Sequence, residues 1–236
     1  MAVPFHEPHF FDDEEYLSKL ENYQSAFRSA DGNIPETIVD ISPSYIYIHN
    51  AIYRLKQIAP HAKLIVMLRN PIDRAISHHN HDIRKWRNVG SFSARCQLEY
   101  HQICNGNLQN DRSNLVARGF YASQLENVLR YFSPKQVLVI ISERYKANPD
   151  SFRSYIRRFI GLPEDNNTVS YPVWNEHRYY EPIAEDDRVF LRGIYDSEVH
   201  RLRRLIGDDI PEWSDFSDKK RPLHVIDGAN KAIKVI

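Results

Sequence analysis

The run Lys63-Leu64-Ile65-Val66-Met67-Leu68-Arg69-Asn70-Pro71-Ile72-Asp73-Arg74-Ala75-Ile76-Ser77 is the part of this chain best suited to chemistry. Residues 63–68 are nearly all apolar, the mark of a strand buried on both faces of a parallel sheet. Pro71 stands where a first helical residue would, and a helix to about Arg87 follows. Arg69 then emerges at the carboxyl edge of the sheet, where open α/β folds place their ligands. The free N–H groups and the positive dipole end of the helix point to the same spot. Arg69 offers a phosphate a planar fork of donors, and Ser77 adds a hydroxyl from the second turn. This is the pattern of an anion site. A structural arginine paired with a carboxylate, beside an exposed Asp73–Arg74 pair, would use the same residues.

Other groups carry less. His78, His79 and His81 lie on the same helix, but zinc sites add Cys or carboxylate ligands at a defined spacing, and that spacing is not present here. A partly exposed helix rich in histidine accounts for them. Arg84, Lys85, Trp86 and Arg87 suit a solvated helix end, or contact with an acidic or carbohydrate acceptor. Cys96 and Cys104, two helical turns apart, read as small apolar packing groups. Tyr171, Trp174, Tyr179 and Tyr180 suit plain packing or stacking on a sugar or an adenine.

Positioning the Arg69 segment requires a sheet with helices around it. Strands are expected at residues 37–40, 63–68 and 137–141, and helices at 12–27, 46–58, 71–87, 93–105, 121–132, 150–160 and 186–206. Gly161 and Gly207 end the last two helices. Residues 162–185, with Pro163, Pro172 and Pro182, form a long irregular connection. Strands alternating with helices argue for an α/β fold with a parallel sheet. Three strands are few for that class, so a first strand ahead of residue 1 is expected.

Composition removes several functions. Among 236 residues, 42% are hydrophobic, enough for one domain with its own core spanning 1–236. With 31 basic and 31 acidic side chains, neither a nucleic-acid coat nor a polybasic membrane binder is encoded. Two cysteines make no disulfide framework, no apolar run reaches the length of a membrane span, and the start lacks the regions of a signal peptide. Only 8 glycines occur, none of them clustered, so neither a Walker-type loop nor G-x-G-x-x-G is present. A P-loop kinase is thereby excluded.

Taken together, the motifs resemble sulfotransferases that use 3′-phosphoadenosine 5′-phosphosulfate (PAPS), in the branch of the heparan sulfate sulfotransferases and their bacterial relatives. Leu68-Arg69-Asn70-Pro71-x-Asp73-Arg74-Ala75-x-Ser77 is similar to the family's 3′-phosphate-binding motif. His6-Glu7-Pro8-His9-Phe10-Phe11-Asp12 resembles its Lys-Glu-x-His-Phe-Phe segment, and Asp40-Ile41-Ser42-Pro43-Ser44-Tyr45 its Ser/Thr-Pro-x-Tyr loop. Arg118-Gly119-x-Tyr121-x-x-x-Leu125 resembles a helix start near the nucleotide, and residues 137–143 a later core strand. The resemblance implies a P-loop-like three-layer α/β fold with a central parallel sheet flanked by helices. It implies sulfuryl transfer from PAPS to a hydroxyl or amine, with a carbohydrate as the expected acceptor and no metal. Glu7 is then the catalytic base assisted by His9, Arg69 and Ser77 hold the 3′-phosphate, and Arg118, Gly119 and Tyr121 lie by the nucleotide.

Two departures accompany the resemblance. The family's first strand and its Lys- and Gly-containing 5′-phosphosulfate loop have no counterpart here, so an N-terminally truncated domain is expected. Where glycosaminoglycan-modifying members often carry Lys, this chain has Ile41. An inactive remnant that at most binds adenosine 3′,5′-bisphosphate is the alternative. No nucleic-acid partner is expected, and the expected location is the cytoplasm, or the Golgi lumen for a chain that has lost an anchor.

Overall fold

The apolar runs at residues 63–68 and 137–141 form strands β1 (Leu64–Leu68) and β2 (Val137–Ile141). They pair in parallel, from Leu64 opposite Val137 to Leu68 opposite Ile141. A short strand β3 (Lys234–Val235) joins the other edge of β2, also parallel, giving the order β1-β2-β3. The computed structural model describes residues 7–28, 32–33, 35, 37–86, 88–109, 111–164, 183–217 and 234–235. The helices are α1 (Leu20–Ser25), α2 (His49–Ile58), α3 (Pro71–Trp86), α4 (Phe92–Cys104), α5 (Tyr121–Tyr131), α6 (Ser142–Ala147), α7 (Pro149–Ile160) and α8 (Glu185–Ile206). Contacts sort the chain into two compact units, Met1–Ala62 with Gln124–Phe132, and Lys63–Ser123 with Ser133–Ile236.

The second unit holds the sheet. Every residue of β2 is buried, because strands flank both its edges and α7 packs Phe152 against Leu138 and Ile140. β1 corrects the expectation of burial on both faces: Ile65 is 42% and Met67 51% exposed. It pairs with β2 on one edge, and its burial alternates because Ile65 and Met67 share a face that the described residues leave open. α7 starts at Asn148, whose side chain accepts the Ser151 N–H, followed by Pro149. α8 stops where Gly207 takes φ 69°, a left-handed conformation that a side chain would resist.

In the first unit the expected strand at 37–40 is reduced to a single bridged residue, Ile38. The expected helix at 12–27 becomes a 3-10 turn, Tyr16–Lys19, followed by α1. Asp13 accepts the Glu15 N–H at 2.9 Å, a local bond that competes with helix formation at the start. The core is aromatic. Phe10 stacks on Tyr23 at 4.1 Å, and Phe11 meets Tyr23 and Tyr45 edge to face. Arg54 of α2 donates to the carbonyls of Phe11 and Asp13 and lies over the Tyr16 ring. α6, which the sequence pattern does not announce, follows β2 directly. Residues 165–182, with Tyr171, Trp174, Tyr179 and Tyr180, lie outside the described residues, as does Arg87.

Candidate active site

Asn70 controls the corner between β1 and α3. Its side-chain oxygen accepts the N–H groups of Ile72 (3.0 Å) and Asp73 (3.4 Å), and its carbonyl accepts that of Arg74. Pro71 has no N–H. The helix start is therefore already capped, which corrects the expectation of free amides aimed at an anion. Binding an anion here falls to side chains. Asn70 is itself held by Glu143, which accepts its N–H at 2.9 Å, and by Asp215, which accepts from Nδ2 at 2.7 Å. Asp73 pairs with Arg188 at 3.0 Å rather than with Arg74. Burial raises the Asp73 carboxyl above the usual carboxylate range, against the pull of Arg188 and Arg69.

Arg74 turns instead to the Leu115 carbonyl and to His78. Its Nε is buried and has no partner among the described residues. Arg118 sits on a 3-10 turn, Ala117–Gly119, held by buried Glu99 of α4, which accepts the N–H groups of Leu115, Val116 and Ala117 at 2.5–2.9 Å. Gly119 is buried, and a Cβ there would lie 2.7 Å from the Tyr195 ring. The glycine thus lets Tyr195 pack against the turn while its O–H donates to the Val116 carbonyl at 2.9 Å. Tyr121 is buried beside Trp213, and burial raises its hydroxyl. Arg74, Arg69 and Arg118 each pull the Tyr121 hydroxyl the other way. Ser77 is half-buried on α3, three residues beyond Arg74 and hence on the same side. Burial and then Arg74 push the His78 imidazole down to about 3, leaving it neutral at pH 7. Guanidinium groups and a hydroxyl are donor types that suit a phosphate dianion.

The first unit holds the other expected pair. Glu7 Oε2 lies 3.0 Å from His9 Nε2, and His9 Nδ1 lies 2.9 Å from Asp12 Oδ2. Glu7 is half exposed, while the Asp12 side chain is 1% exposed. His9 adopts φ 50°, uncommon for a residue with a side chain. Its N–H donates to Ser42 Oγ at 3.2 Å, and Tyr45 Oη accepts the Phe10 N–H at 2.9 Å. Ser42 and Tyr45 can accept because both hydroxyl protons go to Asp40, at 2.7 and 2.8 Å. Burial, reinforced by Asp40, holds the Tyr23 and Tyr45 hydroxyls far above the ordinary phenol range. The arrangement can take up a proton at Glu7 and share it with an imidazole.

The sequence motifs assign no role to Asp12, Ser44, Arg74 or Glu99. By sequence pattern alone Arg74 reads as half of an exposed pair with Asp73. The Arg-x-x-Ser spacing from Arg74 to Ser77 and the Glu-x-His-x-x-Asp spacing are the available signals. His79 is explained by packing: it accepts from Arg95 at 3.0 Å and meets Phe92 edge to face. Burial pushes the Cys96 thiol up to about 12, so it stays protonated. Lys85 lies over the exposed Trp86 ring.

A family model described as Sulfotransferase domain matches residues 2–178. The chain belongs to the sulfotransferase family. Among its relatives is human bifunctional heparan sulfate N-deacetylase/N-sulfotransferase 3, 23% identical over 239 residues, 89% of this chain and 27% of that protein. Human heparan sulfate glucosamine 3-O-sulfotransferase 6 is 34% identical over 157 residues, 66% of this chain and 43% of that protein. The sulfotransferase domain here therefore spans less than half of either relative. A crystal structure of a sulfotransferase from Alicyclobacillus acidocaldarius superposes with TM-score 0.70 at 26% identity, covering 90% of this chain and 87% of that one. The sulfotransferase fold, P-loop-like with a parallel sheet among helices, is thus that of the chain. Among the described residues, no helix is long and apolar enough to cross a membrane.

Proposed function

We propose that the chain transfers a sulfuryl group from PAPS to a hydroxyl or amine of a carbohydrate. The observation that carries this reading is the His9 imidazole held between Glu7 and Asp12. Bound PAPS would supply the sulfuryl group and a bisphosphate leaving group. Arg69, Arg118 and Ser77 hold the 3′-phosphate, with the Arg74 Nε–H as a further donor. Glu7 removes the proton of the acceptor as its oxygen or nitrogen bonds to sulfur and the bond from sulfur to the 5′-phosphate oxygen breaks. The products are the sulfated acceptor and adenosine 3′,5′-bisphosphate, with the proton left on the Glu7–His9 couple. The heparan sulfate in the names of the two human relatives supports a carbohydrate acceptor.

Glu7→Gln tests the reading, since it keeps the size of the side chain and removes the base. Turnover of PAPS with a glycosaminoglycan acceptor should fall by at least about a hundredfold, the lower range of general-base catalysis. Affinity for adenosine 3′,5′-bisphosphate should stay nearly unchanged. A variant that keeps most of its turnover would remove Glu7 from the mechanism. One observation favours a second reading, a chain that binds the nucleotide without turnover. Ile41, 54% exposed, stands where the resemblance places a lysine. Tight binding of the bisphosphate with no sulfation of any acceptor would decide for it.

A further inference from the structure

Ser44, 2% exposed, lies on the loop between Asp40 and α2. Its Oγ is 2.6 Å from Asp12 Oδ2 and 3.1 Å from His9 Nδ1, and Nδ1 is 2.9 Å from the same Oδ2. An ionised carboxylate only accepts, so Oδ2 takes one hydrogen bond from the Ser44 O–H and one from Nδ1–H. The proton on Nδ1 is thereby set, and Nε2 is the ring atom that faces Glu7. At 3.0 Å, Nε2 and Glu7 Oε2 are close enough to share the proton that Glu7 takes up.

We propose that Ser44 is a positioning residue for the Glu7–His9 couple. Its hydroxyl disperses the charge of Asp12 and aims Oδ2 at Nδ1, and so sets how tightly His9 holds the proton it shares with Glu7. The role rests on the reading of Glu7 as the base. A short hydrogen bond from a hydroxyl stabilises a carboxylate anion. Without that bond Asp12 pulls harder on Nδ1–H, the imidazolium form gains, and the shared proton moves away from Glu7. Among the described residues, Glu7 and Asp12 are the charged groups that pair with the ring. Asp40 reaches the His9 backbone through Ser42, and Arg54 holds the carbonyls of Phe11 and Asp13 on the same segment. Tyr23 and Tyr45 stay protonated through the accessible range. Loss of the Ser44 hydroxyl changes the charge of none of them.

The test is a titration of His9 in the full chain, labelled with nitrogen-15 on histidine and assigned by the resonances lost in His9→Asn. Over about pH 4.5–9, Ser44→Ala should raise the midpoint of His9 by about half a unit or more, and Ser44→Thr should restore it. A midpoint in Ser44→Ala equal to or below the parent value overturns the proposal. If Ser44→Ala does not fold, Ser44→Cys fills the space with a weak donor and must raise the midpoint by a smaller amount; no rise there overturns it equally. The titration needs no turnover. Failure of the base reading would instead appear as unimpaired turnover in Glu7→Gln, with the His9 midpoint still moving in Ser44→Ala.

Discussion

Glu143 Oε1 accepts the backbone N–H of Asn70 at 2.9 Å, tying the chain just beyond β2 to the chain just beyond β1. Leu68 and Ile141 end their strands in register, so both residues stand two positions past the same level of the sheet. The other Glu143 oxygen accepts the Trp213 indole N–H at 3.2 Å. One carboxylate thus fixes the corner from which Arg69 projects. Glu143→Leu would leave the Asn70 N–H and the Trp213 N–H without acceptors, each costing about 1–3 kcal/mol, and would also remove the acceptor of the Ser142 hydroxyl. Urea unfolding should show a lower midpoint, with Glu143→Gln losing less. An unchanged midpoint in Glu143→Leu would mean that water replaces the carboxylate.

The capped start of α3 sharpens the expectation for Arg69. With the Ile72 and Asp73 amides occupied by Asn70, no backbone donor there compensates for a lost guanidinium. Arg69→Ala should weaken adenosine 3′,5′-bisphosphate binding by about 1.5–3 kcal/mol, the scale of a charge-assisted bond. The effect on 5′-AMP, which lacks the 3′-phosphate, should be much smaller. Ser77→Ala should show the same selectivity with a smaller loss. Calorimetric titration of both ligands decides, and equal losses would refute the 3′-phosphate role.

Gly119→Ala places a methyl group 2.7 Å from the ring of fully buried Tyr195. Either the ring or the turn carrying Arg118 must move, so a destabilisation of about 1–3 kcal/mol is expected. Tyr195→Leu in the same chain should relieve part of it. A double-mutant cycle by chemical denaturation measures the coupling, and strictly additive effects would break the link between the two residues.

Acid should loosen the α6–α8 side of the second unit. Arg144 donates to both Asp208 oxygens at 2.7 and 2.8 Å and to both Glu212 oxygens at 2.7 and 3.0 Å. These bonds lower both carboxyls below the usual range and raise the guanidinium. A depressed folded value means stability that is present above the unfolded carboxylate range and lost as pH falls through the lower folded values. The parent melting temperature should therefore drop as pH falls below about 4. Arg144→Met should melt about 2–4 °C lower at pH 7, the response expected for roughly 1 kcal/mol, with the gap closing in acid. A gap of constant size from pH 7 to pH 3 would assign the loss to packing.

The sequence by itself determined the elements whose pattern is local. β2 and the helices from α2 onward, α6 excepted, stand within three residues of where periodicity, Pro and Gly put them. Arg69 and Ser77 stand on one strand–helix corner, and Glu7 stands two residues from His9, because those relations are set by rise and twist over a few residues. Partner choice was decided only in the tertiary structure. Asp73 bonds Arg188, 115 positions away, Asn70 bonds Asp215, 145 away, and Ser44 bonds Asp12, 32 away. The same holds for the exposure of Ile65 and Met67 and for the two-residue strand β3. An apolar strand reads alike whether one face or both are covered, and two residues carry too little pattern to read at all. A polar side chain finds its partner by what packing brings within about 3 Å. Sequence spacing does not encode that distance once a long loop has closed.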